Sequence, residues 1–302
     1  MSSPAIQWYP GHIAKAEKAL LEQLKRIDVV LEVRDARIPL ATRHPNLDQW
    51  IGAKERVLVL NRVDMIPATV RDDWSVWLRQ QGTPALFTNA QQGKGVAGLA
   101  KAAQTKGVAM NQRRQQRGLR PRPVRAVVLG FPNVGKSALI NRLLNRKVVA
   151  SARRPGITRQ LRWVRISDEL ELLDAPGVLP AQLTDQQAAL KLAICDDIGE
   201  AAYDNELVAA ALVELLKQAP PCTQSNSADQ GVALAALAAR YGVDPVAHSG
   251  EAYLNQVSQV RYQGDKQRAA RQLLTDYRKG VLGTIALEYP PMAISPLEEV
   301  SP

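Results

Sequence analysis

The chain has 302 residues, of which 46% are hydrophobic and 23% charged, and a net charge of +10. That is about two domains' worth of ordinary globular sequence, which excludes wholesale disorder. The longest apolar run, nine residues from Gly231 to Ala239, is far short of the ~20 that a spanning helix needs.

In chain order, helical periodicity covers 12–26 and a strand-length apolar run follows at 28–33. The pattern repeats with strands at 57–60, 85–87 and 126–129 and helices at 69–80, 95–105 and 136–146. Near-continuous apolar strands alternating with amphipathic helices predict an α/β, doubly wound sheet covered on both faces. Two further strands, 161–166 and 170–173, form a hairpin and make six. Residues 106–123, rich in Gln and Arg and ending in Pro121-Arg122-Pro123, read as a linker or a loop that orders on binding. Beyond Pro180, Ala/Leu-rich periodicity over 185–217, 228–240 and 249–280 predicts a smaller all-helical domain. We therefore expect a first domain over 1–183 and a helical second over 184–302.

The charge divides the same way. Residues 1–183 hold 30 Lys/Arg against 14 Asp/Glu, and residues 184–302 hold 9 against 15. Within the first part, 106–165 has 16 basic residues and no acidic one, which predicts a polyanion-binding face. The N-terminus lacks the basic flank and apolar stretch of a signal peptide. Cys195 and Cys222 provide neither a disulfide framework nor a C-x-x-C pair. The expectation is a cytoplasmic protein with no membrane attachment, monomeric when free.

Gly130-Phe131-Pro132-Asn133-Val134-Gly135-Lys136-Ser137 fits G-x-x-x-x-G-K-[ST] between a strand and a helix. Backbone N–H groups from Asn133 to Ala138 would cradle a phosphate at the helix N-terminus. Lys136 would reach the β- and γ-phosphates, and the Ser137 hydroxyl would ligate Mg2+. Asn61-Arg62-Val63-Asp64, at the end of the 57–60 strand, resembles the N-K-x-D guanine reader. Its Asp64 would accept from the guanine N1 and exocyclic amine, with the Arg62 stem along the base. Thr88-Asn89-Ala90, after the next strand, resembles the following motif, in which the Ala90 N–H meets the guanine O6. Asp174-Ala175-Pro176-Gly177 fits D-x-x-G, with Asp174 toward Mg2+ and the Gly177 N–H toward the γ-phosphate. Thr158, in Pro155-Gly156-Ile157-Thr158, is the second candidate Mg2+ ligand, within a switch.

Ordinary GTPases place the phosphate loop first and the base reader later; here the order is reversed. All five elements stand at strand ends, so a circular permutation of the sheet accounts for the order. The chain then resembles the circularly permuted GTPases of the ribosome biogenesis GTPase A (YlqF) type. The resemblance covers nearly the whole chain. It rests most specifically on residues 6–16 (Ile6-Gln7-Trp8-Tyr9-Pro10-Gly11-His12-Ile13-Ala14-Lys15-Ala16) and Asp35-Ala36-Arg37-Ile38-Pro39. Asp265 through Glu288, with Arg268-Ala269-Ala270 and Leu282-Gly283, adds to it. Arg62 for the usual Lys, and Asn89 where Ser is common, are departures.

The resemblance implies hydrolysis of GTP to GDP tied to late assembly of the large ribosomal subunit, with the helical domain and basic face on rRNA. Arg153, Arg154, Arg159 and Arg162, flanking Thr158, are the RNA-binding candidates. Val178 stands where Ras-type enzymes carry a water-orienting Gln, so catalysis falls to Lys136, Thr158 and another group. The family places the loop of His12 near the nucleotide; His12 acts there, or else packs or binds RNA. In potassium-activated GTPases an Asn at the position of Asn133 helps hold a K+ ion; the alternative is an Asn that only shapes the loop. An ATPase or nucleotide kinase, a GTP-liganded RNA-binding module without turnover, and a GTPase acting on the small subunit or tRNA are the rival readings.

Overall fold

The apolar runs become strands of one sheet. The computed structural model describes residues 6, 13–144, 161–177, 180, 183–218 and 228–291. Its first half runs α1 (Ile13–Leu24), β1 (Val29–Asp35), α2 (Leu47–Ile51), β2 (Glu55–Asn61), α3 (Ala68–Gln80) and β3 (Ala85–Thr88). It continues through α4 (Val96–Gln116), β4 (Val124–Leu129), α5 (Lys136–Leu143), β5 (Arg162–Ser167) and β6 (Leu170–Asp174). The strand order is β3-β2-β1-β4-β6-β5. Only β5 runs antiparallel, hairpinned to β6.

All seven residues of β1 are buried, as a central strand covered on both faces requires. On one face Leu20 and Leu24 of α1 and Leu47 and Ile51 of α2 pack on Val30, Val127 and Leu173, and Trp74 of α3 packs on Leu58 and Leu60. On the other, Leu99 and Ala103 of α4 and Leu139 and Ile140 of α5 pack on Val29, Leu31, Val57 and Val128. The parallel strands all end on one edge. From β1 the chain adds β2 and β3 on one side, then crosses to add β4 on the other. That reversal is the switch point at which doubly wound sheets bind ligands.

Residues 106–116, expected in a linker, continue α4 as helix to Gln116. Alanine, glutamine and arginine are good helix formers, and a solvated basic face does not oppose them. Gly107 lets this helix lie against β4, since a Cβ there would stand 2.2 Å from Val124 Cγ2. Only 117–123 is irregular, pinned where Asn111 Nδ2 donates to the Arg122 carbonyl at 2.9 Å.

The second half contains α6 (Gln186–Ile194), α7 (Asn205–Gln218), α8 (Ala228–Tyr241), α9 (Gly250–Tyr262) and α10 (Lys266–Arg278). Asp185, Ser249 and Asp265 cap the starts of α6, α9 and α10, satisfying amides that have no partner within the helix. The apolar cluster beneath α4 and α5 extends through Phe131 and Val134 to Leu192, Ile194, Leu212 and Tyr277.

After α10 the chain returns to the first half. Ile285 N donates to Met65 O at 2.9 Å, and Leu287 N and Glu288 N donate to Arg37 O at 3.0 and 3.1 Å. The buried Glu288 carboxylate accepts from Leu40 N at 2.6 Å and pairs with Lys191 of α6 at 3.1 Å. A boundary at 183/184 therefore divides the sequence while the packing crosses it.

Candidate nucleotide site

The glycine-bearing loop after β4 turns directly into α5, whose first residue is Lys136. Gly135 has φ +101°, and a Cβ there would stand 2.1 Å from Asn61 Nδ2, so both backbone and space demand glycine. Lys136 is buried, and its Nζ donates to Gly130 O at 3.1 Å and Phe131 O at 2.7 Å. Burial lowers its pKa to about 8, against the opposing pull of Asp174 and Asp197. Asp174 ends β6, paired in register with Val128 of β4, and is fully buried. Gly177 lies against the loop so closely that a Cβ would come within 2.6 Å of Pro132.

Asn61 joins this loop to the neighbouring strand ends. Its Nδ2 donates to Val134 O at 2.8 Å, and its Oδ1 accepts from Thr88 Oγ1 and Ala90 N, each at 3.1 Å. The Ala90 N–H, expected to face a guanine O6, is thus directed at Asn61. Asn89 Oδ1 accepts from Gln92 N at 2.9 Å, so this side chain shapes the turn after β3. Arg62 has φ +65°, and its Nη2 donates to Asn133 O at 2.6 Å. Asp64 follows in a 3-10 turn, Val63–Met65, and is exposed.

Behind the loop lies a buried charge cluster. Asp35, the last residue of β1, receives Arg37 Nε at 3.0 Å and Nη2 at 2.7 Å, and Arg62 Nη1 lies 3.4 Å away. Burial opposes the Asp35 carboxylate, yet Arg37 and Arg62 hold its pKa below the ordinary value. Arg37 Nη2 also donates to Cys195 O at 3.1 Å, just past α6. Asn133 Nδ2 donates to the next carbonyl, Asp196 O, at 2.6 Å. Asp197 is fully buried, and neither carboxylate oxygen has a hydrogen-bond partner among the described residues. Burial and Asp35 raise its pKa well above the carboxylate range, with Arg62 and Arg37 opposing.

The structure thus brings together Asn61, Arg62, Asn89, Ala90, Asn133, Val134, Gly135, Lys136, Ser137, Ala138, Asp174 and Gly177 at one edge of the sheet. His12, Thr158, Arg153, Arg154, Arg159 and Val178 lie outside the described residues. Arg162 is exposed and opposes Asp174 in the β5–β6 ladder. Sequence reasoning gives no role to Arg37, to Asp197 or to Arg142, whose Nε donates to Ala90 O at 3.3 Å and ties α5 to the β3 turn. The D-A-R-x-P stretch is the available signal for Arg37; nothing local marks the other two.

The oxygen donors fit magnesium, which takes carboxylate, hydroxyl and phosphate oxygens. Ser137 stands in the first turn of α5 and Asp174 ends the strand β6. Among the described residues, no group of three or more His, Cys, Asp or Glu is placed to hold a metal by itself. No helix among them is long and apolar enough to cross a membrane.

Residues 125–220 match the 50S ribosome-binding GTPase family. The chain is 38% identical over 216 residues to ribosome biogenesis GTPase A of Bacillus cereus, covering 72% of this chain and 73% of that one. It is 30% identical over 303 residues to mitochondrial ribosome-associated GTPase 1 of Mus musculus, covering 93% and 90%. Among solved structures, GNP-bound YlqF from T. maritima superposes with a TM-score of 0.61 at 21% identity, covering 91% of this chain and 98% of that one.

Proposed function

The chain belongs to the ribosome biogenesis GTPase A family and is a circularly permuted GTPase, and we propose that it couples hydrolysis to late assembly of the large ribosomal subunit. The observation that carries the site assignment is the Asn61 staple, which holds the phosphate loop and the two base-reading turns in one register. In this reading Asp64 selects guanine, and the amides of the phosphate loop and the Lys136 ammonium take the β- and γ-phosphates. Gly177 presents its N–H to the γ-phosphate. Ser137 and Asp174, joined by Thr158, hold Mg2+, which when bound offsets charge on the phosphate oxygens. Potassium held through Asn133 and a catalytic contribution from His12 belong to the same proposal.

The 1–183 unit carries this chemistry and the 184–302 unit faces the ribosome. Arg153, Arg154, Arg159 and Arg162 contact rRNA in the GTP state. The family membership, the basic block at 106–165 and the contact of Asn133 with Asp196 support this reading. The test is sedimentation with purified ribosomal subunits in GDP or a non-hydrolysable GTP analogue. We expect binding to the large subunit that is tight only with the analogue. Equal binding in both states overturns the coupling, and preference for the small subunit overturns the target.

A further inference from the structure

Part of the basic 106–165 block lies on the open edge of the sheet. On β5, Trp163 and Arg165 alternate with buried Val164, so they share the opposite face of the strand. Trp163 is 39% exposed, and the Arg125 guanidinium of β4 lies 5.7 Å from its ring centroid. Together with Arg26, just beyond α1, and Glu171 of β6, these residues line a groove of about 320 Å³. Arg125 pairs with Glu171 at 3.5 Å. Arg165 pairs with Asp168, outside the groove lining, at 3.0 Å, and both of those side chains are largely solvated. Three guanidinium groups therefore face one carboxylate around an accessible indole.

We propose that this groove binds an unpaired RNA nucleotide, its base stacked on Trp163 and its flanking phosphates on Arg26 and Arg165. The proposal rests on the RNA-binding reading above and adds where, and in what form, RNA is held. Stacking on an exposed aromatic ring between arginines is how proteins take single strands without reading sequence. A duplex hides its base faces and offers this site only phosphates. An acidic peptide satisfies the charge but leaves the indole without a planar partner.

The test uses the full chain and a fluorescein-labelled 12-residue oligouridine. Trp163→Ala is expected to weaken binding about tenfold or more, while Trp163→Phe retains most of it. Arg26→Glu, at an exposed position, is expected to weaken binding and to make its salt dependence shallower. GTP hydrolysis without RNA stays unchanged in all three variants. The groove assignment is overturned if Trp163→Ala and Arg26→Glu bind the oligonucleotide as the parent does, even though the parent binds ribosomal particles. Displacement of the oligonucleotide by oligoglutamate as readily as by unlabelled oligouridine overturns it in favour of an acidic partner. A parent chain that binds neither the oligonucleotide nor ribosomal particles overturns the RNA reading itself.

Discussion

Replacing Asn61 by alanine removes three hydrogen bonds from a buried amide. Each is worth about 1 kcal/mol net, and a buried partner left unsatisfied costs about 1–3 kcal/mol. Thr88 keeps a rotatable hydroxyl, whereas Val134 O and Ala90 N are fixed, so the expected loss is about 3–5 kcal/mol. That is a large share of a stability of roughly 5–15 kcal/mol. Urea unfolding measures it directly. The same change separates the turns proposed to read the base from the phosphate loop, so affinity for GDP should fall by at least about tenfold, or 1.4 kcal/mol. Tripolyphosphate, which needs only the phosphate loop, should lose much less. Asn61→Asp keeps both accepted bonds but sets a carboxylate against Val134 O, and should impair GDP binding similarly. A stability loss below about 1 kcal/mol, or equal losses for GDP and tripolyphosphate, refutes the staple.

Asp64→Asn should exchange guanine for xanthine preference, because the amide donates where the carboxylate accepted; unchanged GTP affinity in a competition assay removes Asp64 from base reading. Lys136, with its pKa lowered to about 8 by burial, is charged in both folded and unfolded chains below that pH. Between about 8 and the ordinary lysine value the unfolded chain binds more proton, so this group makes stability rise with pH there. Phosphates favour its charged form, so GDP binding at about pH 9 should take up a proton, read as a buffer-dependent calorimetric enthalpy. Arg37→Leu should cost about 3–5 kcal/mol by leaving Asp35 buried without its main partner, and Asp35→Leu added to it should recover much of that loss; thermal unfolding of the single and double variants checks this.

The strand ends are legible in the sequence because the strands of the parallel sheet are apolar runs and each site motif sits where a run stops. The first such run stops at residue 33, yet β1 continues through Arg34 and Asp35. Charged residues look like a strand boundary unless their partners are known, and one partner of Arg37 lies 158 residues away, at Cys195. The reach of α4 is hidden for a related reason: arginine and glutamine mark a solvated surface equally well on a helix and in a loop. Asp197 has no local pattern at all, since its burial arises only when α6 docks beside the phosphate loop.

Arg37 also meets the helical half at two places far apart in its sequence. Its guanidinium holds the carbonyl of Cys195, just past α6, and its own carbonyl receives Leu287 and Glu288, beyond α10. Two stretches that most of the helical half separates in sequence are thus fastened at one buried residue, so a change at Arg37 reaches both at once.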